Sequence, residues 1–125
     1  MARNKDAAWS YFQLLNEKRI DDAVALLDEE GSFWSLRTQK RTPTREQMQY
    51  LRANTAHIPI RFTLHNAVED GDHVALEISS HAELDDGFVY DNLYCFVIHM
   101  RNGKIFEVRE YLDPRPAQEI VDHLS

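Results

Sequence analysis

Residues 90–113 read YDNLYCFVIHMRNGKIFEVREYLD, two strand-like runs joined at Asn102-Gly103. Asn-Gly between two apolar runs is the strongest short-range hairpin signal, because a type I′ turn needs φ > 0 at both central positions. A two-residue turn also sets register, and register decides which side chains share a face. Pairing Arg101 with Lys104 places Cys95 opposite Glu110, Val97 opposite Val108 and Leu93 opposite Leu112. On this reading Glu110 lies on a face otherwise built of Cys, Val, Leu and Phe. A carboxyl group in that company is paired, solvated or chemically useful.

Working outward, Asp85-Asp86-Gly87 reads as a three-residue loop with Gly in the left-handed region, pairing Leu84 with Phe88. That register sets His81 opposite Asp91, Ser79 opposite Leu93 and Glu77 opposite Cys95. Combining the two hairpins, one sheet face carries Glu77, Ser79, His81, Asp91, Cys95 and Glu110, with Leu93 and Val108 among them. The other carries Ile78, Tyr94, Phe96, Ile98, Arg109 and Tyr111. A third hairpin turns at Asp70-Gly71, with a loop of two or three residues, so His65 is assigned to neither face.

Upstream the period changes. Asp6 to Asn16 has Ala8, Trp9, Phe12 and Leu15 at helical spacing, and Asp22 to Leu27 continues as a short second helix stopped by Gly31. Ser32–Leu36 reads as a strand. A third helix opens at Thr42-Pro43-Thr44, with either Thr42 as N-cap or Thr44 and Gln47 as a capping box, and runs to about Ala56. Strands follow over Ile60–Glu69, His73–Leu84, Phe88–Arg101 and Lys104–Leu112, and Pro114–Ser125 adds a C-terminal helix. Helices first and a long meander afterwards predict an α+β fold, with the helices on one face of a curved sheet.

The chain has 125 residues, the size of a single domain spanning 1–125, and its 43% hydrophobic content is that of a globular protein. A net charge of −7 without a basic, aromatic-interleaved patch argues against nucleic acid as a partner. Arg37 to Arg45 (RTQKRTPTR) reads as a solvated loop. Cys95 is alone, so no intrachain disulfide forms. No apolar window reaches transmembrane length and no leader pattern opens the sequence, which sets a cytoplasmic expectation with no membrane partner. The six histidines include no zinc-binding spacing, and phosphate loops, dinucleotide fingerprints and G-x-S-x-G elbows are missing, so neither metal nor cofactor is expected.

The order of elements resembles the NTF2-like (ketosteroid isomerase-like) cone fold, and the closing segment is similar to its SnoaL-like branch. The residues that carry the likeness are Asp22-Ala23-Val24-Ala25-Leu26-Leu27 with Phe33-Trp34, then Tyr90-Asp91-Asn92, Asn102-Gly103-Lys104-Ile105 and Val108-Arg109-Glu110-Tyr111-Leu112-Asp113. The resemblance implies N-terminal helices packed on a curved antiparallel or mixed sheet that encloses a pocket. It also implies that the face bearing Glu110 and Cys95 looks into the cone. Tyr11 falls where the ketosteroid isomerases have an oxyanion-hole tyrosine. Ser35 falls where they have the general-base aspartate, and Cys95 near their protonated aspartic acid, so steroid isomerisation by that route is not implied. Glu110 falls where limonene-epoxide hydrolases place a catalytic aspartate.

The functional expectation is a cofactor-independent enzyme that moves a proton on a small apolar molecule, of isomerase, dehydratase, cyclase or hydrolase type. Glu110 would be the acid/base, Tyr11 a hydrogen-bond donor, and His81 with Asp91 an auxiliary relay. Trp9, Trp34, Ser35, Glu77, Ser79, Leu93, Cys95 and Val108 would line the pocket. The competing reading is a binding or dimerisation module in which Glu110 is salt-bridged or solvated, or the cone is plugged by Trp and Phe. Tyr94, Phe96, Ile98 and Tyr111 on the far face would form an apolar patch, predicting a homodimer through it.

Overall fold

Apolar residues three and four apart shape α1 (Asn4–Asn16), whose Ala8, Tyr11, Phe12 and Leu15 are buried on one face. The computed structural model describes residues 3–125. After α1 come α2 (Ile20–Val24), β1 (Leu27–Ser35), β2 (Lys40–Pro43) and α3 (Thr44–Ala53). A single 3-10 turn (Thr55–His57) leads into β3 (Ile60–Asp70), β4 (His73–Glu83), β5 (Val89–Arg101) and β6 (Lys104–Leu112), and α4 (Pro114–Leu124) closes the chain. The six strands form one curved, unclosed sheet in the order β2-β1-β6-β5-β4-β3. Neighbours are antiparallel except β1 and β6, which run parallel. This is the α+β cone architecture expected from the resemblance.

Two local expectations at the start of the chain are replaced. The run Arg37 to Arg45 is not merely a loop: its second half forms the edge strand β2 and the start of α3. Neither cap expected for α3 forms. Pro43 stands at its N-terminus without a side-chain cap, and the Thr44 hydroxyl is buried with no hydrogen-bond partner among the described residues.

The core sits on the concave face, where even-numbered residues of β4 and β5, from Val74 to Ala82 and from Tyr90 to Met100, turn inward; most meet α1, while Ala82 and Tyr90 pack with Ile120 of α4. The β4–β5 hairpin has the register read from its loop: the Leu84 amide donates to the Phe88 carbonyl at 2.8 Å, Gly87 has φ 89°, and His81 pairs with Asp91. The β3–β4 turn is the tighter alternative, pairing Asp70 with His73. A bulge between Leu64 and Asn66 leaves His65 on the convex side, where its Nε2 lies 2.7 Å from Ser79 Oγ.

The β5–β6 hairpin departs from the expected register, and the departure decides the site. It starts as read, with Asn102 and Gly103 at φ 51° and 76° and Arg101 paired with Lys104. Met100 then pairs with Ile105 but His99 with Glu107, so Phe106 is an extra residue, a β-bulge. Beyond it every partner moves by one: Ile98 faces Val108, Phe96 faces Glu110, Cys95 faces Tyr111 and Tyr94 faces Leu112. The Phe106 ring is held on the convex side by the Arg101 guanidinium, 4.1 Å from its centroid, and by an edge contact with His99. β1 bulges in step, between its pairings Leu27–Ile105 and Ser32–Glu107. Gly31 makes this possible, since a Cβ there would stand 1.8 Å from the Phe106 carbonyl oxygen. It is therefore a strand residue at a close backbone approach, not a helix terminator.

The bulge separates Glu110 from Glu77, Ser79, His81, Asp91, Leu93 and Cys95, its expected face-mates. Those six lie on convex-side positions of β4 and β5, whereas Glu110 turns into the concave side with Tyr94, Phe96 and Ile98. The same shift removes the expected dimer patch. Tyr94, Phe96 and Ile98 are buried core residues, and of that set Tyr111 alone stays outside.

Candidate active site

Glu110 sits near the end of β6, beside Ser35 at the end of β1, because the two strands run parallel and pair these two residues. Ser35 Oγ donates to Glu110 Oε1 at 3.0 Å, and the Leu36 amide donates to the Glu110 carbonyl at 2.9 Å. Among the described residues no arginine, lysine or histidine stands at ion-pair distance from this carboxyl group. Burial raises its pKa above the ordinary 4.5; the Ser35 hydrogen bond and the Arg37 charge pull the other way without cancelling the effect.

Above Glu110 lies a cavity of about 530 Å³, inside the range of roughly 300–1,000 Å³ usual for small-molecule sites. Its walls are apolar: Phe12 and Leu15 from α1, Phe33 from β1, Phe62 from β3, Phe96 from β5 and Val108 from β6. α4 contributes Ala117, Ile120, Val121 and Leu124. Its position follows from its own sequence, with Pro114 at the first helical position and Asp113 capping it by accepting from the Arg115 amide at 3.1 Å.

Three tyrosines add hydroxyl groups deep in the site. Tyr11 is 4% exposed, lines the cavity, and its hydroxyl makes no hydrogen bond among the described residues. Burial pushes its pKa up, and the Glu110 charge adds to the effect, so it remains a protonated donor. The Tyr94 hydroxyl lies 2.8 Å from both Ser80 Oγ and the Tyr90 hydroxyl, which in turn accepts from Asn92 Nδ2 at 2.8 Å. Burial raises both of these phenols as well. Asn92 is anchored to the Asp113 backbone through both ends of its amide, at 3.0 and 3.2 Å, so this chain of hydroxyls is tied to the start of α4. Together the arrangement offers a carboxyl group with a raised pKa and phenol hydroxyls that stay protonated, in largely apolar surroundings.

Of the residues singled out from sequence, Glu110, Tyr11, Ser35 and Val108 meet at this cavity, and Trp34 borders it. The Trp34 ring itself packs outward, under the Arg109 guanidinium (4.6 Å) and beside Tyr111 (5.3 Å). Trp9 stacks on Phe12 on α1 and is not part of the lining. His81 and Asp91 do pair, Nδ1 to Oδ1 at 2.6 Å, but both are exposed in a shallow convex-side groove shared with Ser79 and Leu93. The sheet stands between them and Glu110, so they cannot serve it as a relay. Glu77 accepts from Asn66 Nδ2 at 2.9 Å on the convex side, and burial together with the Glu77 charge raises the Cys95 thiol. Tyr90, Tyr94, Phe33 and Arg37 belong to the cavity and were not expected there, Tyr94 having been assigned to the outer face. For Tyr90 and Tyr94 the signal in the sequence is the richer apolar content of the even positions of β5, which identifies the inward face.

Among the described residues no cluster of His, Cys, Asp or Glu is arranged to hold a metal ion, and no helix is long and apolar enough to cross a membrane.

Comparison with known proteins agrees with this architecture. A LEH-like epoxide hydrolase from M. tuberculosis superposes with a TM-score of 0.81 at 18% identity, covering 93% of this chain and 86% of its own. PrhC from Penicillium brasilianum gives 0.81 at 14% identity, covering 98% and 90%. A putative isomerase from Bacillus subtilis gives 0.77 at 22% identity, covering 91% and 88%. At these identities the likeness establishes the fold alone. No curated protein matches the sequence. The SnoaL-like domain model matches residues 9–108, which takes in the later part of α1, the Ser35 strand and most of the closing hairpin. The chain therefore belongs to the SnoaL-like family, on the NTF2-like fold.

Proposed function

We propose that the chain is a cofactor-independent enzyme that binds a small, largely apolar molecule in the cavity and transfers a proton to or from it through Glu110. The observation that carries this reading is a carboxyl group with a raised pKa, hydrogen-bonded to one serine and ion-paired to no cation among the described residues, facing an open, largely apolar cavity. Tyr11 would donate a hydrogen bond to a carbonyl, epoxide or developing oxyanion on the substrate. Tyr94 and Tyr90 would hold the wall behind it. Neighbours of the same fold include an epoxide hydrolase and a putative isomerase, both compatible with acid/base work at this position. A non-catalytic module would have Glu110 salt-bridged or solvated, or the cone plugged; the open cavity and the lack of an ion pair to Glu110 among the described residues support the catalytic reading over it.

The test is a thermal-shift screen of small cyclic ketones, enones and epoxides, followed by mass-spectrometric turnover assays on the hits. Wild type should bind and convert at least one of them. Glu110→Gln should keep the binding and lose turnover by about a hundredfold or more, the usual weight of a general acid or base. Bound ligands that are never converted, or equal turnover by the variant, would contradict the proposal.

We also propose that the chain forms a homodimer through the convex sheet face, now with a different residue set from the one expected. Leu93, 70% exposed, and Tyr111 project there, beside half-buried Trp34, Cys95 and Val97.

A further inference from the structure

The exposed members of the cavity lining mark its mouth: Thr38 and Lys40 after β1, Glu46 and Tyr50 on α3, and Val121 and Leu124 on α4. Arg37 stands just inside that rim, half-buried. It donates from Nη1 to Gln118 Oε1 at 3.2 Å and makes no ion pair among the described residues. Lys40 is likewise without a carboxylate partner there, and Glu46, the one carboxylate on the rim, is at ion-pair distance from neither. The chain has 21 acidic residues against 14 basic ones, so partners are plentiful. Arg19, Arg41, Arg45, Arg52 and Arg101 each meet a carboxylate elsewhere. A half-buried guanidinium facing a cavity with most of its N–H fork free is arranged to receive an anion from outside the chain.

We propose that the molecule taken by this cavity is an amphiphilic acid: a ring-sized apolar body carrying one carboxylate, which Arg37 binds at the mouth with Lys40 beside it. This rests on the reading of the cavity as a ligand site and adds the substrate's charge and orientation. The apolar body lies against Phe33, Phe96 and Leu112, with its far end toward Glu110 and Tyr11. Arg37 is thus a specificity residue, setting which end of the substrate reaches the acid.

Two probes of nearly the same shape separate charge from apolar contact: naphthalene-2-carboxylate and naphthalene-2-carboxamide, titrated calorimetrically into the full chain at neutral pH. The carboxylate should bind about tenfold or more tightly than the amide, as a charge-assisted hydrogen-bonded pair gives. Rising sodium chloride should erode that preference while leaving amide binding in place. Arg37→Gln should abolish it with no change in thermal midpoint, and Lys40→Gln should reduce it. The salt series needs no variant, so it stands even if Arg37→Gln folds poorly. Equal binding of the two probes to wild type would overturn the proposal and leave the cavity reading intact, as would a preference that survives in both variants. Binding of neither probe would overturn both.

Discussion

Glu110 is held in surroundings that disfavour its charge, and this has a measurable consequence for stability. Its folded pKa lies above the ordinary 4.5, so the folded chain binds that proton more tightly than the unfolded chain does. Below that value both states are protonated and the group is neutral to stability. As pH rises from about 4.5 through the folded pKa, the unfolded state ionises first and wild type loses stability. Glu110→Gln cannot ionise. Denaturant melts from pH 4 to pH 8 should therefore show the variant gaining on wild type as pH rises and exceeding it at neutral pH, a stabilisation typical of replacing a functional group. A variant less stable at pH 7 than at pH 4, relative to wild type, would indicate that the carboxylate is held by favourable charge interactions. In the sequence this residue stands out through the packable company of Val108 and Leu112, yet the face-mates expected for it lie on the other side of the sheet.

The reason lies in one element. Hairpin turns are written locally, in Asn102-Gly103 and Asp85-Asp86-Gly87, and both registers next to the turns were legible for that reason. The bulge at Phe106 is not written in its own strand. It is stabilised by Arg101 and His99 across the hairpin and by the missing side chain of Gly31 on a strand far away in sequence. No local pattern reveals such a partnership, and a shift of one residue moves every later side chain to the opposite face. β2 escaped notice similarly, since its residues Lys40 to Pro43 are polar and become a strand only by pairing with β1. Gly31→Ala tests the argument. The added Cβ meets backbone, which cannot swing aside, so a loss of about 3 kcal/mol is expected, at the upper end for overpacking. Urea unfolding gives the number. A loss below about 0.5 kcal/mol, the scale of a neutral surface change, would show that the close approach is not needed.

For the whole molecule, the sheet separates the proposed site from the proposed interface. Its concave side with α1, α3 and α4 makes the cavity, with Glu110 and Tyr11 inside and Arg37 at the mouth. Its convex side carries the His81–Asp91 pair, Leu93 and Tyr111, the surface proposed to meet a second copy. Sedimentation velocity should show a dimer, and Leu93→Glu should convert it to a monomer with unchanged far-ultraviolet circular dichroism; a monomeric wild type would contradict the assembly. On the inner side, the central claim is that the apolar setting of Glu110 raises the pKa of its carboxyl group. It is tested most directly by following the Glu110 side-chain carboxyl carbon by NMR through a pH titration, assigned by its disappearance in Glu110→Gln. The account predicts a midpoint clearly above 4.5. A midpoint at or below that value would mean that the group is solvated or paired as an ordinary carboxylate, and the account of the site would fall with it.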